Sequence, residues 1–376
     1  MKIAFLIKEI HPNAGQTYDL AEIIKSLLSS HSDWKISVFT NKVYYPMVEG
    51  MNDPRVSIIK VDEYYGSMIF KAKLAARLRE YDVLYVKGSY PYFFPAMESR
   101  RPTILVVHQI DSPKLFNALI PKLKIFAANL LTGHVLKKAD TVVTITDELG
   151  SFYEKKFGIK VRVIPDQISD LFFVPPQRND PDRSQEIRLL TVGNWDGPNG
   201  RKRHDVLLSY FAYAIKILPK LHISMVGLSK DNLKELDKVC DDLQINDYVT
   251  LKGNLGGREL VEEFIDSHIY VSATTYEGFY RQIVEGFATG MPALIYDSRK
   301  ITKEPSSCAS VNHVLKSGAG ELFSDSESFT SGLVKILDNY TEYSSNARVY
   351  AKLFSGEVVG AKTEQLLEMM VSKQEL

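Results

Sequence analysis

The sequence predicts an α/β protein made of two Rossmann-like, doubly wound domains, and three observations point there. The chain has 376 residues, too many for one typical hydrophobic core and enough for two. Short runs rich in β-branched residues recur along it, several of them ending in glycine. Polar loops and helix-like periods follow these runs, the alternation that a parallel sheet covered on both faces requires.

In order, Lys2 to Ile7 reads as the first strand and is followed by a polar loop holding Ala14 and Gly15. Tyr18, Leu20, Ile23, Ile24, Leu27 and Leu28 then form the apolar face of a helix, and Trp34 to Thr40 alternates as a second strand. Gly15, just before the helix, reads either as a permissive loop residue or as a point where backbone approaches a ligand. Val56 to Val61, Val83 to Val86 and Thr103 to Val107 are further strand runs. The last of these ends at His108, on the edge where open α/β sheets bind ligands.

Residues 113–139 carry Lys114, Lys122, Lys124, Lys137 and Lys138 among many apolar residues. They read as two packed helices with snorkelling lysines, or as a basic amphipathic surface touching anionic lipid. In the second reading Tyr90 to Pro95 adds an aromatic contact. Lys160 to Pro165 closes the first domain, which is expected over residues 1–170.

A Pro- and Asp-rich segment is expected as the linker, residues 171–187, and the second domain spans 188–355. Its first strand ends in Gly193 and leads into Asn194 and the three cations Arg201, Lys202 and Arg203 at a helix start. Cations there oppose the helix dipole, so an anion is expected to offset them. Two more strands end at Gly227 and Gly253. His268 to Ala273 is a buried strand, and the Thr-Thr-Tyr-Glu-Gly turn after it leads into a short helix from Ile283 to Thr289, stopped by Gly290 and Pro292. Glu277 and Glu285 bracket that turn, and carboxylates at such a place suit polyol hydroxyls better than phosphates. Residues 356–376 read as a final helix.

With 46 Lys and Arg against 46 Asp and Glu, no global charge draws the chain to nucleic acid. Cys240 and Cys308 are the only cysteines, which suits a reducing compartment and neither a disulfide scaffold nor a metal cluster. Ile3 to Ile7 is too short for a signal segment and no apolar run approaches a membrane span, so a cytoplasmic protein is expected.

A strand, then Glu277-Gly-Phe, then seven residues between two glutamates, then Gly290-x-Pro292 resembles the signature of the family-4 retaining glycosyltransferases of the GT-B fold. The resemblance implies two Rossmann-like domains facing across a cleft, with the last helix crossing back to the first domain. It implies transfer of a hexose-type sugar from a nucleotide-diphosphate donor to a glycan or lipid-linked acceptor, with no metal and no cofactor beyond that co-substrate. His108, Glu277 and Lys202 take the catalytic roles by this resemblance. Donor contacts fall to Gly15, Gly193, Asn194, Arg201, Arg203, Gly253, Gly278, Phe279, Tyr280, Arg281, Gln282, Ile283 and Glu285, with Glu285 on the ribose and the Phe279 to Ile283 amides on the diphosphate. A peripheral contact at the inner face of the cell membrane, through residues 113–139, follows from membrane-associated relatives.

Four positions depart from the pattern. Ala14 replaces one of a glycine pair, Gln109 an aspartate, and Asn194 the arginine of Val-Gly-Arg, while Pro165-Asp-Gln-Ile-Ser169 stands for Pro-Asn-Gly-Val-Asp. These departures motivate a second reading, a non-catalytic GT-B binding or partner subunit.

Overall fold

The computed structural model describes residues 1–11, 15–45, 48, 50–61, 68–88, 90–108, 133–173, 178, 180–198, 200–301 and 308–372. They form two units, Met1–Gln167 with Gly356–Leu376, and Ile168–Ser355.

The first unit contains β1 (Lys2–Ile7), β2 (Glu9–Ile10), β3 (Lys35–Thr40), β4 (Lys42–Val43), β5 (Val56–Lys60), β6 (Val83–Lys87), β7 (Thr103–Val107), β8 (Thr141–Thr144) and β9 (Val161–Val163). Seven of them make an all-parallel sheet ordered β5-β3-β1-β6-β7-β8-β9, and β2 pairs with β4 in a separate ribbon that the sequence did not announce. The second unit contains β10 (Ile187–Val192), β11 (Leu221–Val226), β12 (Val249–Leu251), β13 (Ile269–Ser272), β14 (Ala293–Tyr296) and β15 (Gly320–Phe323). Its sheet is also parallel, ordered β12-β11-β10-β13-β14-β15. In both units the order grows outward from the first strand one way and then reverses. The switch points therefore lie between β1 and β6 and between β10 and β13. Every residue of β6, β7, β13 and β14 is buried, which is why those segments read as continuous apolar runs.

The helices of the first unit are α1 (Gly15–Ser30), α2 (Met68–Leu78), α3 (Tyr90–Glu98) and α4 (Asp147–Phe157). Those of the second are α5 (His204–Ala214), α6 (Lys230–Leu243), α7 (Gly257–Asp266), α8 (Arg281–Ala288), α9 (Ala309–Ser317), α10 (Ser326–Asp338) and α11 (Tyr340–Ala351). The final helix α12 (Gly356–Ser372) returns to the first unit and packs on α1. A Cβ on Gly360 would lie 2.8 Å from the Ser26 Cβ, so a side chain there would force the two helices apart. Gln167 Nε2 donates to Ser26 Oγ at 2.8 Å and His31 Nε2 to Glu364 at 2.7 Å, fixing the same seam.

Several expectations are corrected. Gly15 opens α1 instead of preceding it. Tyr90 to Pro95 lies in α3, where Tyr92 and Phe93 are buried, so these two rings are core and not an aromatic membrane contact. Residues 171–187 fall inside the second unit, where Arg178 donates to the carbonyls of Phe264, Ser267 and Thr289 and ties the segment down. Ala14, Gln109 and residues 113–132 of the basic stretch lie outside the described residues. Cys240 and Cys308 are both buried and form no disulfide. No helix among the described residues is long and apolar enough to cross a membrane.

Replacing Gly360 by valine is expected to cost about 1–3 kcal/mol, because overpacking at the α1 seam outweighs the loss of glycine's backbone entropy. Urea unfolding of the variant against the parent protein measures it.

Candidate active site at the ends of β10 and β13

At the carboxyl edge of the second sheet, backbone comes first. β10 ends in Gly193 at φ +140°, whose N–H donates to the Val226 carbonyl at 2.8 Å. A Cβ on the following residue of β11, Gly227, would lie 3.3 Å from the Gly193 nitrogen. Gly227 N–H in turn donates to Gly253 O at 3.1 Å. Three adjacent strands thus end in glycine and present main chain at the ligand edge.

The loop after β10 is wound around Asp196, whose carboxylate accepts the N–H groups of Arg201 and Lys202, each at 3.0 Å. The loop after β13 is tied to it by Thr275 N–H on the Arg201 carbonyl at 2.9 Å. Side chains complete the junction. Lys202, 5% exposed, places Nζ 2.7 Å from Glu277 Oε1 and 4.4 Å from the centre of the Tyr280 ring. Arg201 Nη1 pairs with the same carboxylate oxygen. The anion expected to offset the cations is thus partly within the chain itself, in Glu277 and Asp196.

Tyr280 precedes α8 at φ +60°, a left-handed conformation that is costly for an aromatic residue. Its hydroxyl is held by Ser272 at 2.5 Å and Thr274 at 3.1 Å, which locks the ring under the loop. Phe279, Tyr280 and Ile283 are all buried, so their side chains are core and only their main chain can meet a ligand. The Ile283 N–H is already given to the Tyr280 carbonyl at 3.2 Å, which removes it from the expected amide set. Arg281 and Gln282 begin α8, and their N–H groups have no acceptor within the helix. Gly278 and Gln282 are half-buried.

Glu285, 6% exposed, accepts from Arg281 Nε at 2.8 Å through Oε1. Burial pushes its carboxyl up and the Arg281 guanidinium opposes that shift. Asn194 turns its Oδ1 to the start of α6, accepting from Ser229 N–H at 2.9 Å and Asn232 Nδ2 at 2.7 Å. Arg203 is not brought to the junction. It caps α5 at φ +47°, and its guanidinium lies 4.8 Å from the centre of the Tyr296 ring.

In the first unit, the sheet edge gathers Asp19 of α1, Lys87 at the end of β6, His108 after β7 and Asp166 after β9. Lys87 Nζ pairs with Asp19 and lies 3.7 Å from Asp166, while His108 Nε2 lies 3.4 Å from Asp166. Burial and the Lys87 charge lower the His108 pKa, against the opposing pull of Asp166. Asp19, His108 and Asp166 could be grouped as metal ligands, but the Lys87 ammonium already supplies the cation there. Exposed Gly15 opens α1 near this edge.

Sequence reasoning missed Asp196, His204, His313 and the Asp19–Lys87–Asp166 network. Asp19 did leave a signal, an acid directly before Leu20 in the first turns of an amphipathic helix. Lys87 left another, a cation closing an apolar strand. Nothing near His313 connects it to a loop more than thirty residues earlier.

Two Rossmann-like parallel sheets, each with its switch point, fit the GT-B fold. Residues 177–352 match the model of the family described as glycosyl transferases group 1. No curated protein sequence matches the chain. Among solved structures, sucrose-phosphate synthase of Thermosynechococcus elongatus is similar at a TM-score of 0.76 and 15% identity, with 99% of each chain covered. HepE from Anabaena, solved in complex with UDP, is similar at 0.73 and 17% identity over 98% of this chain and 100% of that one. WaaG, a glycosyltransferase involved in lipopolysaccharide biosynthesis, is similar at 0.68 and 15% identity over 97% and 99%. At these identities the likeness is one of fold.

Arg281→Ala would leave Glu285 buried and unpaired, and a loss of about 3 kcal/mol is expected at neutral pH. A carboxyl whose folded pKa is raised is stabilising below its unfolded pKa and loses that contribution as pH rises through the folded value. The deficit of the variant should therefore shrink as pH falls toward the unfolded carboxyl range, which urea unfolding at several pH values tests.

His204 and His313 are both buried and pushed down to about 4 from an ordinary 6.5. With folded values depressed, each contributes up to roughly 3 kcal/mol that is present above the unfolded pKa and lost as pH falls from 6.5 toward 4. Glutamine at both positions should flatten the stability profile across that window.

Proposed function

We propose that the chain is a retaining glycosyltransferase that moves a hexose-type sugar from a nucleoside-diphosphate donor to a glycan or lipid-linked acceptor without a metal. The observation that carries this reading is the meeting of Lys202 and Glu277, 2.7 Å apart, from the two loops of one switch point. Transfer leaves charge on the departing diphosphate, and fixed donors aimed at developing charge are usually the largest catalytic contribution. Lys202, Arg201 and the first amides of α8 are the donors assigned to it. A diphosphate competes with Glu277 for both cations, and its arrival releases that carboxylate to the sugar hydroxyls. These cations take the part that a metal plays elsewhere.

Glu285 is assigned to the ribose, with Oε1 fixed by Arg281 and Oε2 turned to the hydroxyls. His108, at the sheet edge of the first unit, is assigned to the sugar. No side chain is assigned as a nucleophile, so retention is ascribed to attack by the acceptor on the face the leaving group vacates. UDP is the first base to test, since Anabaena HepE was solved with UDP and with UDP-glucose. A cytoplasmic place with peripheral contact through the lysines of residues 113–139 is part of the same reading.

A thermal-shift and calorimetric screen of UDP, GDP and ADP and their sugars, with chelator present, tests it. One base is expected to raise the melting temperature by mass action. Glu285→Ala should weaken that nucleotide at least about tenfold. Glu277→Ala should retain nucleoside-diphosphate affinity and lose on the order of a hundredfold in turnover. A folded protein that responds to no nucleotide would instead be a non-catalytic partner subunit.

A further inference from the structure

Two buried histidines outside the assigned set each hold one carbonyl of the two loops at the switch point. His204, the first residue of α5 and 1% exposed, has Nε2 2.9 Å from the Gly193 carbonyl oxygen. His313, on α9 and 4% exposed, has Nε2 2.6 Å from the Phe279 carbonyl oxygen. A carbonyl only accepts, so each ring carries its proton on Nε2. The remaining Nδ1 of His313 then accepts from the Tyr350 hydroxyl at 3.0 Å. Phe279, Tyr350 and Phe354 pack around the His313 ring and leave it no other orientation.

A peptide unit is planar and trans, so its C=O and N–H point to opposite sides of the chain. Holding the Gly193 carbonyl therefore aims the Asn194 N–H, and holding the Phe279 carbonyl aims the Tyr280 N–H. Among the described residues neither N–H meets an acceptor. Both flank Lys202, which lies against Gly193 on one side and over the Tyr280 ring on the other.

We infer that His204 and His313 are paired positioning residues, each turning one peptide plane so that the Asn194 and Tyr280 N–H groups converge with Lys202 on the diphosphate of the donor. This deepens the proposed function and rests on its reading of the second unit as the donor site. His313 must donate from Nε2 and stay neutral to accept at Nδ1, while the buried Nδ1 of His204 meets no acceptor for a second proton among the described residues, so the depressed pKa of both histidines is consistent with this role.

The test uses the whole chain, with His204→Ala, His313→Ala and the matching glutamine variants. Calorimetry at neutral pH compares the nucleoside diphosphate that binds the parent, from UDP, GDP and ADP, with the corresponding free nucleoside. Each alanine variant is expected to weaken the nucleoside diphosphate about tenfold and leave the nucleoside unchanged, since a hydrogen bond to a charged group is at stake. Glutamine, whose side-chain amide can donate to the same carbonyl, should restore most of the loss. Equal weakening of nucleoside and nucleoside diphosphate would reduce the histidines to packing and overturn the inference, as would alanine variants that bind like the parent. Where an alanine variant does not fold, leucine, which fills the volume without a donor, takes its place. A parent protein that binds no nucleotide overturns the donor reading itself, and this inference with it.

Discussion

The parallel pairing of β10 with β13 is the constraint on which the site depends. Leu189 and Leu190 lie in register with Ile269 and Tyr270, so the two strands end side by side. The strand order reverses here, and the loops leaving them diverge toward helices on opposite faces. A gap at that point is a geometric necessity, and the loop residues are the ones free to fill it. The single backbone bond from Thr275 to Arg201 keeps the two loops in contact across the gap. Glu277 also bridges by main chain to Cys308 at the start of α9, so its loop is held from both sides.

Electrostatics then decide what the gap can accept. Lys202 and Glu277 are largely withdrawn from water, with side chains 6% and 17% exposed, and neither could be left alone there cheaply. Their pairing is what lets two strong charges wait at a sheet edge. The Tyr280 ring adds a second neutralising surface for the ammonium, and this role requires the left-handed turn that the Ser272 and Thr274 hydroxyls enforce. Strain at Tyr280 is thus tied to the placement of a charge, as strained residues at functional sites commonly are.

The strands and the Glu277 to Pro292 unit were legible because they rest on local patterns: buried β-branched runs, glycine stops and a fixed spacing. What was not legible depends on rotation of loop side chains. Arg201, Lys202 and Arg203 are consecutive, yet two meet Glu277 and the third turns to Tyr296, because Arg203 takes a left-handed cap that points its side chain elsewhere. Ile283 looked like an amide donor only because a three-residue closing bond from its N–H to Tyr280 cannot be seen in a sequence. His313 reaches Phe279 through tertiary packing of α9, which no spacing rule encodes.

The same lysine-and-carboxylate chemistry appears at both sheet edges with opposite consequences. In the first unit Lys87 is 2% exposed and sits between Asp19, 1% exposed, and Asp166, so two acids surround one cation and the cluster has no positive charge to offer. In the second unit Arg201 and Lys202 share Glu277, Asp196 lies 3.7 Å from Arg201, and Arg201 remains 46% exposed. An incoming anion would gain little from the enclosed Lys87, whereas the exposed guanidinium of Arg201 can turn to one beside Lys202. Exposure, and not net charge, is what separates the two clusters.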